Sequence, residues 1–246
     1  MTDGYPMRIN KYLAHKGIAT RRGADELIAR GKIMINGRIA VLGDKVTETD
    51  SIEVASAPSP KKYVYYAYHK PVGVITHSPQ RGEADIKTSL IKARKSGEMG
   101  GVFPIGRLDK DSSGLMILTN DGRVTDRLLN PDYAHDKEYR VQTREPLREG
   151  FKRAMEAGVS IEGYFTRPCV VRKTGPKSFH VTLTEGKKHQ IRRMVAALHN
   201  EVVALERVRV LTIHLDGLSP GDARPIIGNE LTTFLNKIGI QNGVAL

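Results

Sequence analysis

Phe103-Pro104-Ile105-Gly106-Arg107-Leu108-Asp109-Lys110-Asp111-Ser112-Ser113-Gly114-Leu115-Met116-Ile117-Leu118-Thr119 lies near the middle of the chain, and the segments around it take their meaning from it. Its two apolar runs, Val102 to Ile105 and Leu115 to Thr119, read as short buried strands. The loop between them is bracketed by Gly106 and Gly114 and carries Arg107, Asp109, Lys110, Asp111, Ser112 and Ser113. Charged groups clamped between core strands are held rigidly, as catalytic side chains need to be. The same letters also fit an ordinary polar turn. On the residues alone, both readings stand.

The 246-residue chain has room for one large domain or for a large and a small one. Hydrophobic residues make up 39%, enough for a core, and no apolar run approaches the roughly 20 residues of a membrane span. The N-terminus has no charged-then-apolar leader, so a cytoplasmic protein is expected. A single cysteine, Cys169, excludes an internal disulfide framework and a cysteine-based zinc cluster. It sits in an apolar run and is expected to pack rather than react. The net charge of +12 calls for a polyanion, and no segment joins a basic helix to a lipid-binding apolar face. Nucleic acid is therefore the expected partner.

Residues 1–55 read as a small module. Ile9, Tyr12 and Leu13 give helical spacing to Met7–His15, and Thr20 caps a second helix with Ala24, Leu27 and Ile28 on its apolar face. Gly31 stands where a C-terminal cap belongs. Asn36-Gly37 inside Ile33–Ala40 is a strong hairpin signal, and Ser51–Val54 adds a strand. The first forty residues carry Arg8, Lys11, Lys16, Arg21, Arg22, Arg30, Lys32 and Arg38 against only Asp3, Asp25 and Glu26. Residues 56–62, with two prolines among small and basic residues, are expected to be a linker.

Residues 63–246 form the larger predicted domain. Tyr63–His69 and Val74–Thr76 are expected as a hairpin about Lys70-Pro71-Val72-Gly73. Helices are expected over Ala84–Lys95, Arg123–Asn130, Leu147–Ala157, His189–Leu198 and Asn229–Lys237. Strands are expected over Glu138–Gln142, Thr166–Val171, Ser178–Thr184 and Val202–Leu215. Strands outnumber helices without alternating with them, which predicts an α+β fold built on a largely antiparallel sheet.

Two further stretches carry candidate chemistry. In Glu185-Gly186-Lys187-Lys188-His189-Gln190-Ile191-Arg192-Arg193-Met194, a glycine turn enters a helix among four basic residues, an arrangement suited to phosphate. Asp136-Lys137-Glu138-Tyr139-Arg140-Val141 alone reads as an ordinary strand start. Asp109 and Asp111 as a Mg²⁺ pair would have Lys110 between them and no third carboxylate in the run. Ser112 and Ser113 lack a nucleophile elbow, and neither a phosphate-loop nor a dinucleotide fingerprint is present.

Gly106-Arg107-Leu108-Asp109-Lys110-Asp111-Ser112-Ser113-Gly114-Leu115 closely resembles the signature loop of pseudouridine synthases. Over nearly its full length the chain is similar to the RsuA/RluB/RluE/RluF family of rRNA pseudouridine synthases. Met155–Ile161 and Arg167–Lys173 liken it to the RluF branch. Its first module, with the basic corner Thr20-Arg21-Arg22, resembles the S-four-type RNA-binding module of a small-subunit ribosomal protein and of tyrosyl-tRNA synthetases. The resemblance implies that Asp109 is catalytic, that Arg192 pairs with it and keeps it ionised, and that Tyr139 lies against the target uracil. Arg107 would fill the gap left when the uridine flips out. Arg21, Arg22, Lys32, Arg38, Lys187, Lys188 and Arg193 are the expected RNA contacts. The reaction implied is isomerisation of one uridine in a folded stem-loop of ribosomal RNA, of the large subunit (23S), by a monomer without cofactor or metal. Alternatives are a synthase acting on small-subunit rRNA or tRNA, and a non-catalytic assembly protein. The basic tail found in some relatives is missing after the last predicted helix, so contacts from such a tail are not expected.

Overall fold

The computed structural model describes residues 5–16, 18–55, 63–76, 84–92, 99 and 101–240. The predicted linker 56–62 and residues 93–95 of the third predicted helix lie outside them.

The first described segment builds β1 (Met7–Arg8), α1 (Ile9–His15), α2 (Arg21–Ala29), β2 (Ile33–Ile35), β3 (Arg38–Ile39), β4 (Lys45–Val46) and β5 (Ile52–Val54). Thr20 caps α2, its Oγ1 accepting from the Gly23 amide at 3.1 Å. Asn36 and Gly37 adopt φ of 49° and 79°, the left-handed pair that turns β2 back into β3. Ile9, Leu13, Ala24, Ile28, Ile33 and Val46 close an apolar cluster within this segment. Helix α1 begins at Ile9 rather than Met7, because Met7 and Arg8 pair with Val46 and Lys45.

The second segment continues with β6 (Tyr65–Lys70), α3 (Ile86–Lys92), β7 (Phe103–Ile105), β8 (Ser113–Thr119), α4 (Arg123–Leu129), β9 (Lys137–Thr143) and α5 (Phe151–Ala157). Then follow β10 (Ser160–Ile161), β11 (Tyr164–Phe165), β12 (Val170–Gly175), β13 (Ser178–Leu183), α6 (Gln190–Ala197), β14 (Val202–Val210), β15 (Ile213–His214), β16 (Ala223–Pro225) and α7 (Gly228–Lys237). A nine-stranded sheet runs β12-β13-β9-β14-β8-β6-β16, with β15 on β14 and β7 on β8. Every pair in it is antiparallel except β14 with β8. The α+β expectation holds.

Strand β8 is buried on both faces, which explains its unbroken apolar run. Leu115 and Ile117 pack with Val124 of α4 and Phe234 of α7. Met116 and Leu118 pack on the other side with Tyr68 and with Ile86 and Leu90 of α3. A third cluster joins Val141, Phe179 and Val181 to Phe151 and Met155 of α5 and Met194 of α6.

Three local expectations are corrected. Val74–Thr76 does not return as a hairpin strand, because both edges of β6 are taken by β8 and β16. Instead the Gly73 amide and Thr76 reach the loop before β8. Helix α5 starts at Phe151, because the Leu147 amide bonds Pro176 O and Gly150 is left-handed. The strand expected from Thr166 begins at Val170, since Thr166 pairs with Val159 through both its amide and Oγ1. The sequence reading also missed β1, β4, β16 and the β10–β11 hairpin, all two or three residues long. Runs that short carry no period.

Candidate active site

The loop 106–112 joins β7 to β8 and lines a cleft of about 850 Å³ with β9, β14 and the approach to α6. Five successive carbonyls of this loop each accept a hydrogen bond. Arg107 O takes Arg207 (3.4 Å), Leu108 O takes Thr76 Oγ1 (2.9 Å) and Asp109 O takes the Ser112 amide (3.1 Å). Lys110 O takes the Gly73 amide (2.8 Å) and Asp111 O takes Arg192 (3.0 Å). Except for the local turn at Ser112, the donors come from elements far away in sequence. The backbone is thereby fixed while Asp109 keeps its carboxylate for the cleft.

That carboxylate does not meet Arg192. The Arg192 guanidinium is spent on Asp111 O, Val202 O and, at 3.5 Å, Ser112 Oγ, so it props the loop from behind. The partner of Asp109 is His189, whose Nδ1 stands 3.0 Å from Oδ2. With a carboxylate as acceptor, Nδ1 carries the proton. His189 holds a left-handed φ of 51° at the entry to α6, which turns its ring back toward the loop. Glu185 pins that entry: it is buried and accepts from the Arg167 amide, Gln190 Nε2 and Tyr164 Oη.

Lys70, the last residue of β6, is fully buried and donates to Pro71 O and Val74 O. Burial pulls its pKa down to about 8, against the opposing pull of Asp109 and Asp111. On the cleft floor, Tyr139 of β9 lies directly across from Arg207 of β14. Arg207 is 4% exposed, and its Nε donates to Leu115 O at 2.7 Å. Cys169 lies away from the cleft, its thiol donating to Met155 O; burial, with Glu156 and Glu185, pushes its pKa up to about 11. It is a packing residue.

The structure brings Arg107, Asp109, Tyr139, Lys187 and Lys188 to one cleft. Arg107 is exposed at the rim. Lys187 lies over the Tyr164 ring at 4.5 Å, and Arg193 is turned to Glu162 at 2.6 Å. Arg21, Arg22 and Lys32 are exposed on the first segment, while Arg38 is tied to Asp44 at 2.8 Å. Sequence reasoning missed Lys70, Thr76, Lys137, His189 and Arg207. Three of them lay inside motifs read for another residue or as a turn.

The same architecture appears in known proteins. A family model described as RNA pseudouridylate synthase matches residues 64–197, and an S4 domain model matches residues 7–52. The chain is 39% identical over 236 residues to the dual-specificity RNA pseudouridine synthase RluF of Escherichia coli (strain K12), covering 94% of this chain and 79% of that protein. It is 35% identical over 232 residues to ribosomal large subunit pseudouridine synthase B of Bacillus subtilis (strain 168), covering 91% and 93%. A crystal structure of a pseudouridylate synthase superposes with a TM-score of 0.67 at 27% identity, over 94% of this chain and 99% of that one. The signature loop, the sheet that presents it and these likenesses converge: this chain belongs to the RNA pseudouridine synthase family and carries an S4 domain.

Proposed function

We propose that the chain isomerises a uridine of large-subunit ribosomal RNA to pseudouridine, with Asp109 as the catalytic carboxylate. The observation that carries this reading is the aspartate loop itself, five consecutive carbonyls fixed by hydrogen bonds with Asp109 lining the cleft. The name of the Bacillus subtilis relative supplies the large subunit. The dual specificity named for the Escherichia coli relative favours a second reading, in which a further RNA is also modified.

The target uridine leaves its stack and enters the cleft over Tyr139, while Arg107 occupies the space it vacates. Asp109 either bonds to C1′ or takes the C2′ proton, and the N1–C1′ bond breaks with its electron pair remaining on uracil. The base turns, C5 bonds to C1′, the C5 proton leaves and N1 takes up a proton. In the first course C1′ releases the carboxylate; in the second the proton returns to C2′. Bonds are only redistributed within one nucleotide, so neither cofactor nor metal is needed. Arg192 serves as a positioning residue through Asp111 O.

Residues 1–55 form the RNA-gripping unit, 56–62 the linker and 63–246 the catalytic unit. Arg21, Arg22, Lys32 and Arg38 grip a folded stem, and Lys187, Lys188 and Arg193 hold the phosphates beside the target. One chain supplies every group in the cleft, which supports action as a monomer, and an rRNA substrate supports a cytoplasmic site of action. Among the described residues no helix is long and apolar enough to cross a membrane.

Carbodiimide–alkali primer extension of rRNA from cells with the gene, without it, and with Asp109→Asn tests the reading. One uridine stop is expected to vanish in the deletion and in the variant alike, while the variant protein still binds rRNA. Survival of every stop in the deletion would overturn the assignment to rRNA.

A further inference from the structure

Lys137 and Arg207 are cations of the cleft floor that, among the described residues, have no carboxylate within ion-pair distance. Lys137 Nζ donates to His135 O at 3.0 Å. Arg207 donates to Leu115 O, Arg107 O and, weakly, Met116 Sδ at 3.6 Å. The neighbouring sheet arginines behave differently: Arg140 is paired with Glu206, and Arg209 with Asp136 and Glu138. The carboxylate adjacent to Lys137 in sequence, Asp136, is thus taken by Arg209. Burial pulls the pKa of Lys137 down, helped by the charge of Arg207.

Taking a cation out of water without a paired counter-charge is costly, so Arg207, buried, and Lys137, half-buried with Asp136 acting on it only at a distance, mark the place beside the open cleft where negative charge arrives. Each also keeps donors in reserve. Lysine has three and spends one here; arginine has five and spends three. Their placement is specific. Arg207 faces Tyr139 across the β9–β14 ladder, and Lys137 stands two residues from Tyr139 on the same face of β9. A ring stacked on Tyr139 therefore has both cations at its edge. The exposed Arg107, Lys187 and Lys188 at the rim suit backbone phosphates; the buried floor suits the base.

We propose that Lys137 and Arg207 are catalytic residues that bind the uracil carbonyl oxygens and carry the charge of the uracil anion. The inference rests on the isomerase reading above. When N1–C1′ breaks, the electron pair left on N1 spreads onto O2 and O4, and donors aimed there are stronger partners for the departed base than for the bound nucleotide. That difference lowers the barrier to cleavage. The charge is discharged when C5 bonds to C1′; the C5 proton then leaves and N1 takes up a proton.

The test uses the full-length protein and large-subunit rRNA transcribed with uridine or with 5-fluorouridine throughout. Fluorine at C5 stabilises the departing anion by induction, so the enzyme has less to supply. Cleavage of the target N-glycosidic bond is read under single turnover by mass spectrometry of nuclease digests, and affinity by filter binding. Lys137→Met is expected to slow the uridine RNA about 100-fold and the fluorinated RNA about tenfold or less, with Kd within about twofold. Lys137→Arg should recover most of the loss, and Arg207→Lys should show the same selectivity for the fluorinated RNA. Equal losses on both RNAs would make Lys137 structural and overturn the proposal. A weaker Kd with a shallower salt slope would overturn it in favour of a phosphate contact. Wild-type protein that cleaves neither RNA would instead bring down the rRNA reading on which the inference stands.

Discussion

Asp109 shows how far one residue can be followed. Its place on a charged loop between two buried strands was legible, because strand periodicity and flanking glycines are local signals. Its partner was not. Arg192 lies in the expected stretch, yet it reaches Asp111 O and Val202 O, and the left-handed turn at His189 brings imidazole to the carboxylate in its stead. A backbone dihedral set by tertiary packing decides this, and no spacing rule carries it. In the sequence Lys70 opens the turn Lys70-Pro71-Val72-Gly73, and its burial comes from the enclosure of β6, which no local pattern carries. That burial is testable. A lysine whose folded pKa is about 8 against an ordinary value of 10.5 destabilises the fold relative to a neutral group. The penalty is fully present below pH 8 and fades as pH rises toward 10.5, where the unfolded chain also loses its proton. The stability difference between Lys70→Met and wild type is therefore expected to shift by roughly 2–3 kcal/mol in favour of wild type between pH 8 and 10.5. Urea denaturation across that range measures it, and a difference independent of pH would show that Lys70 is not held in this state.

At the scale of elements, the join between β8 and β14 matters most. It is the parallel pair in the large sheet, and it places Arg207 opposite Gly114. Gly114 has φ +111°, and a Cβ there would sit 2.3 Å from Arg207 O and 2.4 Å from Arg207 N. Gly114→Ala is therefore expected to lower stability by at least about 2 kcal/mol through overpacking and backbone strain. Gly186→Ala, with open space around its Cβ, should stay within about 0.5 kcal/mol of wild type. Urea midpoints compare the two, and an unchanged midpoint for Gly114→Ala would contradict the close approach. Both glycines were visible in the sequence, but only the sheet order separates the one that is indispensable from the one that is not. The hairpin expected after β6 failed for a related reason: its edge was claimed by β16, a three-residue strand more than 150 positions later.

Across the whole molecule, which carries a net charge of +12, exposed basic side chains stand both on the first segment and at the rim of the cleft. If residues 7–54 grip RNA by phosphates, Arg21→Ala with Arg22→Ala should weaken binding and reduce the slope of log K against log salt by about 1 to 2. Filter binding of large-subunit rRNA over a salt series reads this; an unaltered slope would remove the corner from the interface. The sequence by itself determined the α+β class, the small basic module, the strands around the aspartate loop and the aspartate in it. Each of these is written in local periodicity, turn chemistry or a contiguous motif. Tertiary structure alone decided that Arg192 props the loop, that His189 meets Asp109, and that Lys70, Lys137 and Arg207 gather beneath the cleft. Those facts depend on contacts between residues tens of positions apart, whose distances are set by strand order and register, and short-range sequence patterns do not encode either.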